Sequence, residues 1–338
     1  MFSISKKKSY ICGMKRFVWL ILFMGVAIWT MGQESAYKEV RRADKFFNFT
    51  NQVSYMKRGD GYIYRFVAMM PMPVSNEYQD IAHLTFTEGE VVKDKRYGNQ
   101  VLVVKRSSFP GMNHTVSSTF DVCPFEVKVN TSKITHIRNY DPNSEPCRKH
   151  LGDRGKYIMT QHPYVVRTGD SIWAQSSDLL DYARRSYEYV AKNFRYIKGN
   201  WRTLKQILAE GGGECGDFST LVVNLLRYKG IPSRHNICLK LDGNPHVWVD
   251  FYLEGYGWIP LDAQLKNAFP QNDYFGIYNG QCIVMMQDFC YDISKEFPLD
   301  VLQTFHYWFW YNNGVCTLSG KHEPKNNGAS TTPPVKTM

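Results

Sequence analysis

Three side chains able to do acyl chemistry follow one another within 48 residues: a thiol at Cys215, an imidazole at His246 and a carboxylate at Asp262. Cys215 stands in Gly211-Gly-Gly-Glu-Cys215-Gly-Asp-Phe, His246 opens His-Val-Trp-Val-Asp-Phe-Tyr-Leu, and Asp262 closes Trp258-Ile-Pro-Leu-Asp262. A thiol is a slow nucleophile until a base or a local positive field makes it thiolate. An imidazole serving as that base needs a third group to hold its tautomer. Taken singly, a buried Cys is usually a small hydrophobe and an Asp after a strand a turn former. Together, in this order, they point to attack on a carbonyl. A zinc site would lack a fourth ligand and any close pair such as CxxC or HxxxH, and no DxDxDG calcium loop occurs, so neither a metal nor a cofactor is expected.

The elements that must carry these groups can be read around them. Phe218, Leu221, Val222, Leu225 and Leu226 recur at helical spacing, and Gly230-Ile-Pro232 supplies a stop. Cys215 then lies in the first turn, on the buried face, where unpaired N–H groups and the helix dipole favour an anion. Val247, Val249, Phe251 and Leu253 alternate with His246, Trp248, Asp250 and Tyr252, the pattern of a half-buried strand. After Glu254-Gly-Tyr-Gly257, a second short strand runs from Trp258 to Asp262. If Trp248 pairs with Pro260 and Asp250 with Trp258, His246 lies directly opposite Asp262, with Tyr252 to Tyr256 as the loop. Both tryptophans would then share the cleft face. A slip of one residue would turn Asp262 away.

This constellation resembles the transglutaminase-like superfamily of papain-type thiol enzymes. The likeness is carried by Gly213-Glu-Cys215, Gly230-Ile-Pro-Ser-Arg234, His246-Val-Trp248-Val249 and Gly257-Trp258-Ile-Pro-Leu-Asp262. It is close over Trp201 to Gln264 and looser from about Ser171 to Asp292. The resemblance implies an α+β core, a Cys-bearing helix packed on an antiparallel sheet. It also implies Cys215 as nucleophile, His246 as general base and then acid, and Asp262 as the orienting group. The backbone N–H of Cys215 would be one oxyanion donor, and Gln206 and Trp201 are candidates for the second. Arg234 reads as a structural ion-pair partner or a substrate contact.

The 338 residues allow two domains, and 43% apolar with 15% aromatic residues is ample for buried cores. Of the formal charge of +10, five units belong to Lys6, Lys7, Lys8, Lys15 and Arg16. The remainder is mildly basic without runs interleaved with aromatics, which argues against a nucleic-acid partner. Lys15-Arg16 precede an apolar run from Phe17 to Trp29, and Thr30-Met-Gly32 offers small residues before Gln33. This reads as an export signal over 1–32, shorter than the roughly 20 apolar residues of a spanning helix. A membrane would be met only through that segment, if uncleaved. A periplasmic or extracellular location follows. The seven cysteines after Cys12 would suit one free thiol and three disulfides, with Cys123–Cys147 and Cys282–Cys290 as the sequence-near pairs.

Residues 33–166 alternate in short strands broken by turn clusters and predict a β-sandwich-like domain. Residues 167–320 hold the catalytic core, ending in an aromatic hairpin, Phe305 to Leu318. Residues 321–338 are polar and read as a disordered tail. The expected function is that of an exported thiol acyl enzyme acting on a peptide, protein or cell-wall peptide, hydrolysis being favoured over amine cross-linking. The alternative is a catalytically silent glycan- or peptide-binding surface protein. The β-rich region would chiefly stabilise the core.

Overall fold

The structure, a computed structural model, describes residues 37–330. The expected export signal over 1–32 and the end of the tail, 331–338, lie outside the described residues.

The alternating N-terminal segment forms β1 (Lys38–Arg42), β2 (Phe47–Arg58), β3 (Tyr62–Met72), β4 (Gln79–Phe86), β5 (Glu90–Lys93), β6 (Gln100–Arg106) and β7 (Asn113–Val129). The chain then turns helical with α1 (Glu145–His150), α2 (Pro163–Trp173) and α3 (Leu179–Asn193). Two-residue β8 (Arg195–Tyr196), α4 (Leu204–Glu210) and two-residue β9 (Gly212–Gly213) lead into α5 (Cys215–Tyr228). Strands β10 (Ser233–Lys240), β11 (Pro245–Leu253) and β12 (Gly257–Leu261) follow, then α6 (Ala263–Ala268), β13 (Ile277–Tyr278) and β14 (Cys282–Gln287). The described chain closes with β15 (His306–Asn312), β16 (Thr317–His322) and β17 (Lys325–Ala329). The result is an α+β fold in which a β-rich region precedes a helix-on-sheet core.

Helix α5 is buried from Gly216 to Arg227. A helix buried on every side must be enclosed on every side, and it is packed by α2, α3 and α6 and by β10 and β11. Beneath it lies the antiparallel sheet β12-β11-β10-β14. The β-rich region contributes two further sheets, one in the order β15-β3-β6-β5. Strand β3 carries an unbroken buried run from Phe66 to Met72. Phe66, Ala68 and Met70 face Val53, Tyr55 and Val116 of the second sheet. Val67 and Met69 face the core that encloses α5. One strand thus serves two cores. Gln79 and Asn99 add a polar seam. Gln79 Nε2 donates to Val284 O (2.9 Å) and its Oε1 accepts from Val284 N (2.7 Å), and Asn99 makes the same exchange with Gln287 at 2.9 and 2.7 Å. These amides satisfy backbone groups along β14 that a bare sheet edge would leave open.

Four expectations are corrected here. The aromatic segment is not a hairpin closing the catalytic core: β15 pairs with β3, while β16 and β17 pair with β2 in the facing sheet. Asn313 and Gly314, both at positive φ, carry the chain between sheets instead of folding β15 onto β16. The edges of β2 and β3 offer longer ladders than that short hairpin could. A domain boundary at 320 therefore does not separate the β-rich region, which takes strands from both ends of the described chain. Nor is 321–330 a disordered tail. Lys325–Ala329 is polar, but a strand that completes an edge is held by backbone hydrogen bonds and needs no apolar side chains. Finally, all seven described cysteines are free thiols. Cys123 lies on β7 and Cys147 on α1, and Cys282 neighbours Cys238 on the adjoining strand rather than Cys290. Nearness in sequence did not become nearness in space.

Candidate functional site

Cys215 is the first residue of α5, held there by a carboxylate clamp. Asp217 Oδ2 accepts from Glu214 N (2.9 Å), and Oδ1 accepts from Arg202 N (2.9 Å). Arg202 Nη1 adds a salt bridge to Asp217 at 3.0 Å and Nε another to Glu210 at 2.7 Å. This ties the loop before α4 to the helix start. The glycines around Cys215 are demanded by this packing. A Cβ on Gly213 would meet the Asp217 carboxylate at 2.1 Å, and one on Gly216 would meet the Trp201 ring at 2.6 Å. The clamp was missed in the sequence, although Glu214 and Asp217 stand at the three-residue spacing of a reciprocal helix cap.

His246 sits on β11 opposite Cys238 of β10, and is buried. Ser219, one turn after Cys215, donates from Oγ to Val247 O at 3.4 Å and so pins α5 to the strand beside His246. Asp262 caps α6: its Oδ1 accepts from Leu265 N at 2.9 Å. Its Oδ2 lies 2.6 Å from His246 Nε2. With that nitrogen holding its proton toward the carboxylate, Nδ1 is left to take one. Burial works against the imidazolium, but Asp262, and after it the Cys215 thiol, outweigh this and raise the His246 pKa well above the usual imidazole value. The three sequence-predicted residues are thus brought together.

The expected register is off by two. Tyr252 pairs with Trp258 and Asp250 with Pro260. The cause is the turn. Glu254–Tyr256 closes it in three residues, with Tyr256 N donating to Leu253 O (2.9 Å) and Gly255 and Gly257 at positive φ, rather than in the five expected. A two-residue shift preserves the facing of every side chain, so Asp262 approaches His246 diagonally instead of head-on. Trp258 and Asp250 keep that facing but do not line the cavity at His246. Arg234 lies over the Trp258 ring at 4.0 Å and donates from Nε and Nη2 to Asp250 Oδ2 at 3.1 and 3.0 Å. Both charges are buried, which fits the structural reading of Arg234.

A cavity of about 550 Å³ borders the pair, lined by His246, Asp262, Trp248, Tyr278, Lys240 and Cys282 among others. Trp248 stacks on Tyr278 with centroids 4.7 Å apart, making an aromatic wall. Cys215 reaches the imidazole from the α5 side, outside this lining. Of the two candidate oxyanion donors, Gln206 is exposed, its Oε1 accepting from Thr203 N (2.9 Å) and Thr203 Oγ1 (2.8 Å) to cap α4. Trp201 packs on Gly216, and its buried indole N–H has no hydrogen-bond partner among the described residues.

Residues 167–263 match the transglutaminase-like superfamily. Among solved structures, a protein of Cytophaga hutchinsonii described as a candidate cysteine protease aligns with a TM-score of 0.57 at 15% identity, covering 87% of this chain and 95% of its own. At that identity the likeness is one of fold. The periplasmic domain of TgpA from Pseudomonas aeruginosa aligns at 14% identity over 72% of this chain and 95% of its own, with a TM-score of 0.34. No curated protein sequence matches.

Proposed function

We propose that this chain, which carries a transglutaminase-like domain over residues 167–263, is an exported thiol hydrolase of peptide or side-chain amide bonds. The observation that carries the reading is the 2.6 Å contact of His246 Nε2 with Asp262, beside a thiol at a helix start. Cys215 Sγ gives its proton to His246 Nδ1 and attacks the carbonyl carbon. Asp262 holds the imidazolium so formed. Charge building on the carbonyl oxygen is met by the backbone N–H of Cys215, and the unpartnered Trp201 indole N–H supports assigning it the second donor position. As the tetrahedral species collapses, His246 returns the proton to the leaving amine and a thioester remains on Cys215. Water, deprotonated by His246, then releases the acid. The same thioester could pass to an amine, but water is in excess in an export compartment and the sequence holds no recognisable acceptor-lysine site. Export rests on the leader-like segment 1–32.

The test is a pair of measurements. Iodoacetamide should alkylate Cys215 faster at neutral pH than it does a free cysteine, and Cys215→Ala should abolish release of amide products from peptide mixtures read by mass spectrometry while leaving the fold intact. A Cys215 no more reactive than free cysteine, or turnover surviving in Cys215→Ala, overturns the assignment.

A further inference from the structure

The cavity at His246 does not stop at the catalytic sheet. Ile277 and Tyr278 line it, and as β13 these two residues pair with Lys128 and Val127 of β7. One wall of the site is therefore a strand of the β-rich sheet. Asp273 and Ile277 also border a second depression of about 620 Å³, which runs along β1 and β7 and is edged by Lys38, Lys128, Lys133 and Arg184.

The charges along this continuous groove are unbalanced. Asp262 is engaged by His246, and Asp273 by Arg184 at 2.6 Å. Glu39 stands on the rim opposite Lys128 in the β1–β7 register. Lys128 and Lys133 are exposed and form no salt bridge among the described residues, nor does Lys240 at the other end of the first cavity. A cleft lined by one sign of charge concentrates ligands of the other.

We infer that this groove binds an acidic peptide segment of the substrate, with Lys128 and Lys133 of the β-rich region holding its carboxylates while the acyl group lies at Cys215. The inference rests on the thiol-enzyme reading for what the bound chain presents to the site, and it makes the β-rich region a selector of substrate and not only a support. A peptide is favoured over a nucleic acid because the cavity that His246 lines also carries amide side chains, Gln271, Asn272, Asn279 and Gln281, which match backbone N–H and C=O groups.

Binding can be measured without turnover. The full chain carrying Cys215→Ala is titrated by fluorescence anisotropy with three probes: a labelled Glu-rich octapeptide, its Gln counterpart, and an oligothymidylate of equal charge. The Glu peptide should bind at least about tenfold more tightly than the Gln peptide. Lys128→Glu with Lys133→Glu should weaken it roughly tenfold, the scale of two exposed charge contacts removed and reversed, with the melting curve unchanged. Lys133→Glu alone guards against loss of the strand pairing at Lys128. Equal binding of the Glu and Gln peptides, indifference to both variants, or preference for the oligothymidylate overturns the proposal. Because Cys215 is absent from every arm, such a failure leaves the alkylation test of the thiol untouched.

Discussion

Two buried clusters of aspartate and histidine lie on opposite faces of the β10–β11 pair, and they behave in opposite ways. In one, Asp262 meets His246 at 2.6 Å and the imidazole pKa is raised. In the other, Asp288 meets His150 Nδ1 at 3.0 Å and His235 Nδ1 at 3.5 Å, yet both imidazoles are lowered, chiefly by burial. The difference is Arg227, a fully buried cation paired with Asp288. Against its own burial, Arg227 holds the Asp288 carboxyl well below the usual range. A carboxylate already neutralised has little left for an imidazolium. Asp262 has no Arg or Lys partner among the described residues, and only the Leu265 N–H shares it. A histidine beside an aspartate is thus a base when the carboxylate's charge is uncommitted, and a structural donor when it is not.

The largest effect expected from breaking this comparison is at Asp262. Asp262→Asn keeps the α6 cap but loses the charge and favours the wrong tautomer, and turnover should fall by about 10²–10⁴ with the fold retained. A loss below about threefold would make Asp262 only a helix cap. The pH profile sharpens the point. With the His246 pKa raised, the alkaline limb of kcat/KM should lie above the ordinary imidazole value near 6.5 and move down in Asp262→Asn.

Next comes the converse experiment, freeing Asp288. Arg227→Met leaves a buried carboxylate uncompensated and should cost about 3–5 kcal/mol in urea unfolding. In the surviving native protein, NMR titration should find His150 and His235 shifted upward. Unmoved histidines would show that burial alone sets them.

A smaller effect separates the clusters by the pH dependence of stability. His235 is lowered, so below about pH 6.5 the unfolded chain takes up a proton that the native state refuses, and stability falls with pH. His246 is raised, so its contribution is complete below that value and is lost as pH rises through its native pKa. His235→Gln should therefore flatten the acid-side decline, and His246→Gln should flatten the alkaline-side one. Identical slopes in both variants would remove the distinction. The smallest effect should come from Thr220→Val, which removes the 3.4 Å contact of Thr220 Oγ1 with His235 Nε2 and should cost about 1 kcal/mol in urea unfolding with no change in turnover.

The site was far more legible in the sequence than its surroundings. Cys215, His246 and Asp262 each stand at a position fixed by local rules, a helix start, a strand alternation and a strand end. Facing survived the register error because strands repeat every two residues and the turn differed by two. The turn length itself was not legible: Gly255 and Gly257 permit several closures, and packing selects among them. The Asp288 cluster draws on residues 150, 227, 235 and 288, whose meeting no local pattern announces. The same holds for β15 to β17, where composition showed strands but not which edges they would fill.

That the last strands pair with the second and third has a consequence for the order of events in synthesis. The sheets of the β-rich region lack one edge of β2 and of β3 until residues 306–329 are available, because β15, β16 and β17 fill them. The segment that holds Cys215, His246 and Asp262 is inserted into a frame that opens with the first described strands and shuts with the last described ones. A chain still emerging, or one clipped before residue 306, holds the thiol, the imidazole and the carboxylate but not the closed frame around them. The exposed edges of β2 and β3 are thus covered only after the residues that carry the thiol, the imidazole and the carboxylate have been made, so a ribosome-bound chain passes through a stage with two open strand edges.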